Sequence, residues 1–289
     1  MININQVLHD LKYLFKRFVL IANVTPAMIT FFIALHYYGV PLSDYFLQVI
    51  LLLVGSTFLV AGALTCNNYL EADVDKLMER AKDRPTVTGT MSLRTVLTIG
   101  ISLSVIGQLL LLYINFEVAL YGWIGWFTYV VVYTIWTKRR VTWNTHIGSL
   151  SGAVTPLMGW AVVDSALHVI PLSLFAIMFL WQMPHTYAIA IRKFDDYKKS
   201  GLKMLPIVKG YQTTICRTTI YIALLLFVPL FVQDMSIWFY VVITILNLSW
   251  LYIAIKGFKQ RDVLHWANQL FVSSLIYLLS VFICYLLFV

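Results

Sequence analysis

"FLQVILLLVGSTFLVAGALTCNNYLEADVD", residues 46 to 75, holds two kinds of chemistry in thirty positions. From Phe46 to Cys66 there is no Asp, Glu, Lys or Arg, whereas Asn67 to Pro85 carries five acids and four bases in nineteen residues. Twenty-one uncharged, mostly apolar residues suffice to cross a bilayer as a helix. The abrupt onset of charge then marks where the chain leaves the lipid. Inside hydrocarbon the backbone must satisfy its own polar groups, so a helix is the conformation expected of such a run.

The pattern extends through the chain. Of 289 residues, 60% are hydrophobic and only 12% charged, against about a quarter charged in soluble domains. Apolar runs of about twenty residues fall at 18–38, 46–66, 93–113, 117–136, 146–163, 168–187, 214–233, 236–256 and 266–288. The fold class expected is therefore an all-α membrane protein with nine transmembrane helices. All 21 Lys and Arg lie before the first run or in and around the segments after the second, fourth, sixth and eighth, with Arg94, Arg217 and Lys256 at the ends of the adjoining runs; the opposite side carries the acids Asp44, Glu117, Asp164 and Asp234. The positive-inside bias puts the N-terminus in the cytoplasm and the C-terminus on the opposite side. The net charge of +8 then reflects topology rather than nucleic-acid binding.

The first seventeen residues are mixed and basic, and the apolar run after them is too long for a cleaved signal, so the first helix is expected to stay. Cys66, Cys216 and Cys284 show no paired spacing and suggest neither disulfides nor zinc. The chain reads as one polytopic domain over 1–289, with a weak tandem pattern of helices 2–5 and 6–9. Each half carries one long charged cytoplasmic loop, about 67–92 and 188–213, and long loops in compact proteins are usually functional or disordered.

On a continuous helix, Asn67, Glu71, Asp75 and Glu79 would form one stripe and Lys76, Arg80 and Arg84 another beside it. Like charges four apart destabilise a helix slightly, so a compensating ligand is expected. Mg²⁺ takes oxygen ligands from one or two carboxylates and from substrate phosphates. Neighbouring Arg and Lys clamp the remaining phosphate oxygens. The plainer alternative is a solvated loop with i,i+3 pairs such as Asp73 with Lys76. A second polar region, "WQMPHTYAIAIRKFDDYKKSGLKMLPIVKG" at 181–210, starts inside the sixth apolar run. Gln182, His185, Arg192 and Asp196 fall on one helical face, and a Gln and a His within a membrane helix need a cavity or a partner.

These motifs resemble a known family. "NNYLEADVD" looks like the first aspartate-rich motif of the UbiA-type intramembrane prenyltransferases. "WQMPH", "DDY" with Gly201 beyond it, "RPTVTG" at 84–89, "MLP" at 204–206 and "TWNTHIGSLSGAVTPLMGW" at 142–160 resemble the branch that farnesylates protoheme IX. The resemblance implies nine helices around a central cavity, with farnesyl diphosphate held through Mg²⁺ by the two charged loops. It also implies a vinyl group of haem b as acceptor and, with water addition, haem O for terminal oxidases. The expected setting is a bacterial-type cytoplasmic membrane, with the site facing the cytoplasm and a downstream haem-modifying enzyme or oxidase assembly taking the product.

Under that resemblance Asn67, Glu71 and Asp75 are expected at the metal. Arg80, Lys82, Arg84, Lys138 and Arg139 are expected at the diphosphate, and Gln182, His185, Arg192 and Asp196 on the acceptor side or at a second metal. Departures occur: Asn68 and Glu71 stand where many relatives have Asp, and Ala81 replaces a common Thr. Lys193 and Tyr197 occupy places where relatives carry acids. Competing readings are a relative that prenylates a quinone-precursor aromatic or another tetrapyrrole, and a polytopic transporter. Against the latter, no acid lies mid-span, where transporters place coupling residues.

Overall fold

The computed structural model describes residues 4–233 and 235–289; Asp234, one of the acids expected opposite the basic loops, lies outside the described residues. The regular secondary structure of the described residues is all helical, without strands. In chain order the helices are α1 (Ile4–Leu14), α2 (Arg17–Tyr38), α3 (Phe46–Leu70), α4 (Ala72–Asp75), α5 (Pro85–Thr88) and α6 (Leu93–Ile114). Then follow α7 (Phe116–Phe127), α8 (Asn144–Ala153), α9 (Thr155–Trp160), α10 (Val169–Arg192) and α11 (Phe194–Lys199). Last come α12 (Leu205–Leu224), α13 (Ile237–Lys256) and α14 (Val263–Phe288). The helix begun by α7 continues as a π-helical run, Thr128–Thr137.

Among the described residues, eight helices are long and apolar enough to cross a membrane: α2, α3, α6, α7 with its π-run, α10, α12, α13 and α14. The remaining expected span, 146–163, is divided between α8 and α9. Pro156 causes the division, because it has no N–H to offer the Gly152 carbonyl one turn earlier. The Thr155 hydroxyl donates to that oxygen instead, at 2.8 Å.

Lipid tails are as apolar as leucine, so these helices associate through close packing rather than through the hydrophobic effect. Small residues make this possible along α3 and α6. A Cβ on Gly62 would stand 2.4 Å from Ser104 Oγ, and one on Gly107 would stand 2.4 Å from the Leu59 backbone nitrogen. Between α2 and α9 the approach is closer, with the Gly159 Cβ position 1.9 Å from the Ala27 carbonyl oxygen. Polar atoms knit other pairs: Trp181 Nε1 donates to Ser274 O at 2.7 Å, and Tyr277 Oη donates to Asn247 Oδ1 at 2.7 Å.

The two charged loops meet at one end of the bundle. Val74, Met78 and Ala81 from the first pack against Ala190, Tyr197, Leu202 and Met204 around the second, forming a small apolar core of their own. The Arg80 guanidinium lies over the Tyr197 ring, 4.6 Å from its centroid, and the Arg80 N–H donates to Asp196 Oδ2 at 3.4 Å. Asn144 fastens a third segment here: its Nδ2 donates to Val141 O at 2.7 Å and Lys203 O at 3.0 Å.

Candidate active site

The first acid stripe is real over its first three members and fails at the fourth. α3 ends at Leu70, Glu71 leaves helical geometry at φ −110° and ψ 12°, and α4 stops at Asp75. Met78 is extended at φ −111° and ψ 122°, which turns the chain outward. Asn67, Glu71 and Asp75 are therefore buried together, whereas Glu79 is exposed and pairs with Lys82 at the surface. The basic stripe is likewise dispersed. Lys76 is exposed, Arg80 stacks on Tyr197, and only Arg84 turns inward.

Inside, each acid already meets a cation. Arg84 Nη1 bonds Asp75 Oδ2, and Lys138 Nζ donates to Glu71 Oε2 at 2.6 Å. Lys16 Nζ donates to Asn67 Oδ1, and Asn67 Nδ2 donates to Thr134 Oγ1 at 3.1 Å. Asn68 Nδ2 donates to the Leu14 carbonyl at 2.7 Å, so the paired asparagines hold the joint between α1 and α2. Burial alone would raise the Glu71 carboxyl; the Lys138 and Lys16 ammoniums outweigh it and hold it below the usual carboxylate range. Burial would also lower Lys138, but Glu71 beside it pushes the ammonium well above its ordinary value. Lys16 goes the other way, held well below the ordinary lysine value by burial and by Arg84.

Lys16 takes φ 45° and ψ 58°, the sole positive φ among described non-glycine residues. A left-handed lysine costs about 1–3 kcal/mol, and such strain persists only where the surroundings over-determine it. Sequence reasoning used Lys16 only as a topology marker, because 51 residues separate it from Asn67. Thr134, Tyr129 and Tyr133 were missed for the same reason. The π-run brings them in, with the Thr134 hydroxyl donating to Tyr129 O, five residues back, at 2.8 Å. Lys138 Nζ lies 5.3 Å from the Tyr133 centroid, and the Tyr129 and Tyr133 rings stack at 5.7 Å.

Those two tyrosines also line a cavity, which makes them the junction between the charged cluster and a largely apolar chamber of about 160 Å³. Its walls include Leu59, Val60, Ala63, Trp126, Val154 and Met158, interspersed with polar side chains such as Asn23, Thr145 and Gln182. The Gln182 Oε1 is buried without a hydrogen-bond partner.

The remaining expected residues are not all brought together. Arg139 is at the surface, chelating Asp73 at 2.7 and 2.8 Å. Lys82 is exposed and lines an open basin with Arg80, Arg192, Asp195, Asp196 and Arg261. The expected single face of Gln182, His185, Arg192 and Asp196 is broken at Lys193, φ −117° and ψ 35°, where α10 ends. Asp196 thus sits on α11 in the basin, while Gln182 faces the cavity. His185 faces α14, where Nδ1 is 2.7 Å from Ser274 Oγ and its ring stacks between Trp181 and Phe271. Arg192 lies over the same Phe271, 4.1 Å from the centroid.

Among the described residues, no three of His, Cys, Asp and Glu are grouped to hold a metal by themselves. What the site offers is two buried carboxylates, a carboxamide oxygen and at least three cations above an apolar chamber. That combination suits an amphiphile with a polyanionic head and a hydrocarbon tail.

Comparison with known proteins agrees with this chemistry. Residues 24–276 match the UbiA prenyltransferase family. A protoheme IX farnesyltransferase of Oceanobacillus iheyensis is 42% identical over 274 residues, 94% of this chain and 87% of the relative. One of Bacillus cereus is 42% identical over 277 residues, 96% of this chain and 90% of the relative. Among solved structures, one of a digeranylgeranylglyceryl phosphate synthase shares the fold with a TM-score of 0.79 at 16% identity, covering 98% of both chains. A UbiA homologue from Archaeoglobus fulgidus bound to GPP and Mg²⁺ gives 0.68 at 16% identity, covering 95% of this chain and 99% of that one. The match over most of the chain, with the asparagine and acids of the first motif buried together, makes this protein a member of the UbiA prenyltransferase family.

Proposed function

We propose that this enzyme transfers the farnesyl group of farnesyl diphosphate to a vinyl group of haem b, with addition of water, giving haem O. The observation that carries the reading is the continuity of the buried charged cluster with the apolar chamber through Tyr129 and Tyr133. The 42% identity to protoheme IX farnesyltransferases selects the acceptor.

The donor set fits Mg²⁺. Asn67, Glu71 and Asp75 supply hard oxygen ligands, too few to enclose an ion, which matches an ion that keeps waters and takes phosphate oxygens for the rest. Bound there, Mg²⁺ would neutralise charge on the diphosphate as it departs. The chain's own cations share that work. Lys138 and Arg84, paired with the acids, lie where a diphosphate would enter, and Arg80 stands at the rim on Tyr197. As the bond from farnesyl C1 to oxygen breaks, the electron pair leaves with diphosphate, and the haem vinyl carbon bonds to C1. The positive charge then beside the porphyrin is captured by water, whose proton passes to the departing diphosphate. Chamber walls such as Leu59, Val60 and Trp126 hold the tail and keep bulk water from the allylic centre.

Gln182, from the cavity wall, is assigned to the acceptor side; Arg192 and Asp196 belong to the separate open basin. Arg139 and Lys82 are assigned to guiding the anion from the surface, since both are engaged there. The cluster is placed on the cytoplasmic side of a single nine-span domain, with α8 and α9 forming the fifth span, because the basic segments gather at this end.

The test is incubation of the purified protein in detergent with haem b, farnesyl diphosphate and Mg²⁺, followed by haem extraction and mass spectrometry. A farnesylated, hydrated haem supports the assignment. Prenylation of a quinone-precursor aromatic with haem left unchanged would overturn it.

A further inference from the structure

The buried cluster is out of electrical balance. Its two carboxylates, Glu71 and Asp75, are matched by Lys138 and Arg84, which leaves Lys16 as a third cation whose bond goes to the neutral carboxamide of Asn67. None of the ion pairs among the described residues includes Lys16. A cluster with one cation more than its nearby carboxylates Glu71 and Asp75 is unfavourable where water is scarce, and an arriving anion would restore the balance. The backbone agrees, since a lysine held left-handed at φ 45° is strain kept at a functional position rather than relaxed away. The hold is also specific. Asn67 takes the Lys16 side chain while Asn68 takes the Leu14 carbonyl, so the paired asparagines that open the first motif aim this ammonium into the cluster.

We infer that Lys16, supplied by the joint between α1 and α2, is a diphosphate-binding residue of this site: on arrival of the prenyl diphosphate its ammonium exchanges Asn67 Oδ1 for a phosphate oxygen, and that exchange frees Asn67 Oδ1 for the metal. The inference rests on the proposed function and adds a residue far outside both charged loops. Lys16 links two jobs that the motif must do in turn, since the same carboxamide oxygen cannot serve the ammonium and the ion along one direction. It also makes α1 part of the site.

The alternative is that Lys16 only ties α1 to α3. Lys16→Gln separates the two, because a glutamine amide can still donate to Asn67 Oδ1 but carries no charge. Parent, Lys16→Gln and Lys16→Arg proteins in detergent would be titrated with inorganic pyrophosphate by calorimetry, with and without Mg²⁺, and assayed for KM toward farnesyl diphosphate. A charge-assisted bond lost from a bound anion predicts affinity about ten- to a hundredfold weaker in Lys16→Gln, with melting close to the parent. Lys16→Arg should retain most of the affinity, and KM for farnesyl diphosphate should rise more than kcat falls. Pyrophosphate affinity in folded Lys16→Gln equal to that of the parent would overturn the inference while leaving the proposed function standing. Should Lys16→Gln fail to fold, Lys16→Arg decides, because a tether of fixed length predicts that it too is unstable, whereas an anion ligand predicts folding and binding. A parent that binds no pyrophosphate would remove the proposed function itself.

Discussion

Replacing Lys138 by Met removes one half of a buried ion pair while keeping the length of the side chain. Lys138 and Glu71 are 7% and 3% exposed, so water cannot take over the role of the lost ammonium. Breaking such a pair from one side costs about 3–5 kcal/mol, mostly the penalty of the stranded charge. Lys16 remains near Glu71 and offsets part of it, which places the expected loss at the lower end, about 3 kcal/mol. For a chain of this size that lowers Tm by about 6–12 °C. The pH dependence carries a distinct sign. In the parent, the Glu71 carboxyl sits below its usual range, so its contribution is complete above about pH 4.3 and lost as pH falls through the folded value. The raised Lys138 contributes below about pH 10.4 and loses its contribution as pH rises through its folded value. Stability from the pair is therefore flat around neutrality.

In Lys138→Met the balance at Glu71 inverts. Burial is no longer outweighed by the ammonium, so the folded state takes up a proton more readily than the unfolded one. The deficit relative to the parent should then shrink as pH is lowered from 7 to 5. The double variant Lys138→Met with Glu71→Leu should recover most of the lost stability, since an apolar pair of similar volume replaces a buried ionic one at little cost. Thermal unfolding in detergent, followed by tryptophan fluorescence at several pH values, measures all three proteins. A deficit independent of pH, or a double variant no better than Lys138→Met, would refute the buried-pair account.

Gly159→Ala should fail to give stable protein, because its methyl would meet the Ala27 carbonyl oxygen at 1.9 Å and backbone cannot step aside; size-exclusion profiles compared with the parent decide it. His185→Ala should lower Tm by a few degrees through loss of the Ser274 bond and the stacking on Trp181 and Phe271, with haem b affinity in the folded fraction unchanged. Weakened haem titration by a well-folded His185→Ala protein would instead put the ring at the acceptor. Reporter fusions after residues 90, 140, 205 and 260 should be active on the cytoplasmic side and a fusion after Val289 on the other. A cytoplasmic C-terminus would remove α8 and α9 from the count of spans.

The long helices were legible in the sequence because lipid enforces them: a run such as 46–66 has no alternative way to satisfy its backbone. The acids of the first motif were legible too, since Asn67, Glu71 and Asp75 keep a common side across the break at Glu71. Glu79 was misplaced because a four-residue spacing was extended through Met78, whose extended backbone no residue type nearby announces. Asp196 was misplaced by the same extrapolation through Lys193. Arg139 and Arg84 look equivalent as basic loop residues, and only tertiary contacts send one to surface Asp73 and the other to buried Asp75. Lys16 had no local signal at all, since its role depends on a partner in another helix.

The widened turns from Thr128 to Thr137 bear on how this chain is to be lined up with others. A hydrogen bond from residue i to i+5, such as that from the Lys138 N–H to Tyr133 O at 2.9 Å, closes over one more residue than the ordinary helical bond. Removing a single residue there would restore ordinary turns and rotate everything after it by about 100°, swinging Lys138 away from Glu71. A relative with a regular helix in this place must therefore be aligned with a one-residue gap inside a span, where a run of interchangeable valines, tyrosines and threonines gives no hint of where the gap belongs. Matching Lys138 to its counterpart in such a relative is a problem for superposed backbones, and an ungapped alignment would assign its role to a position equivalent to buried Thr137 or to Arg139, which pairs with Asp73.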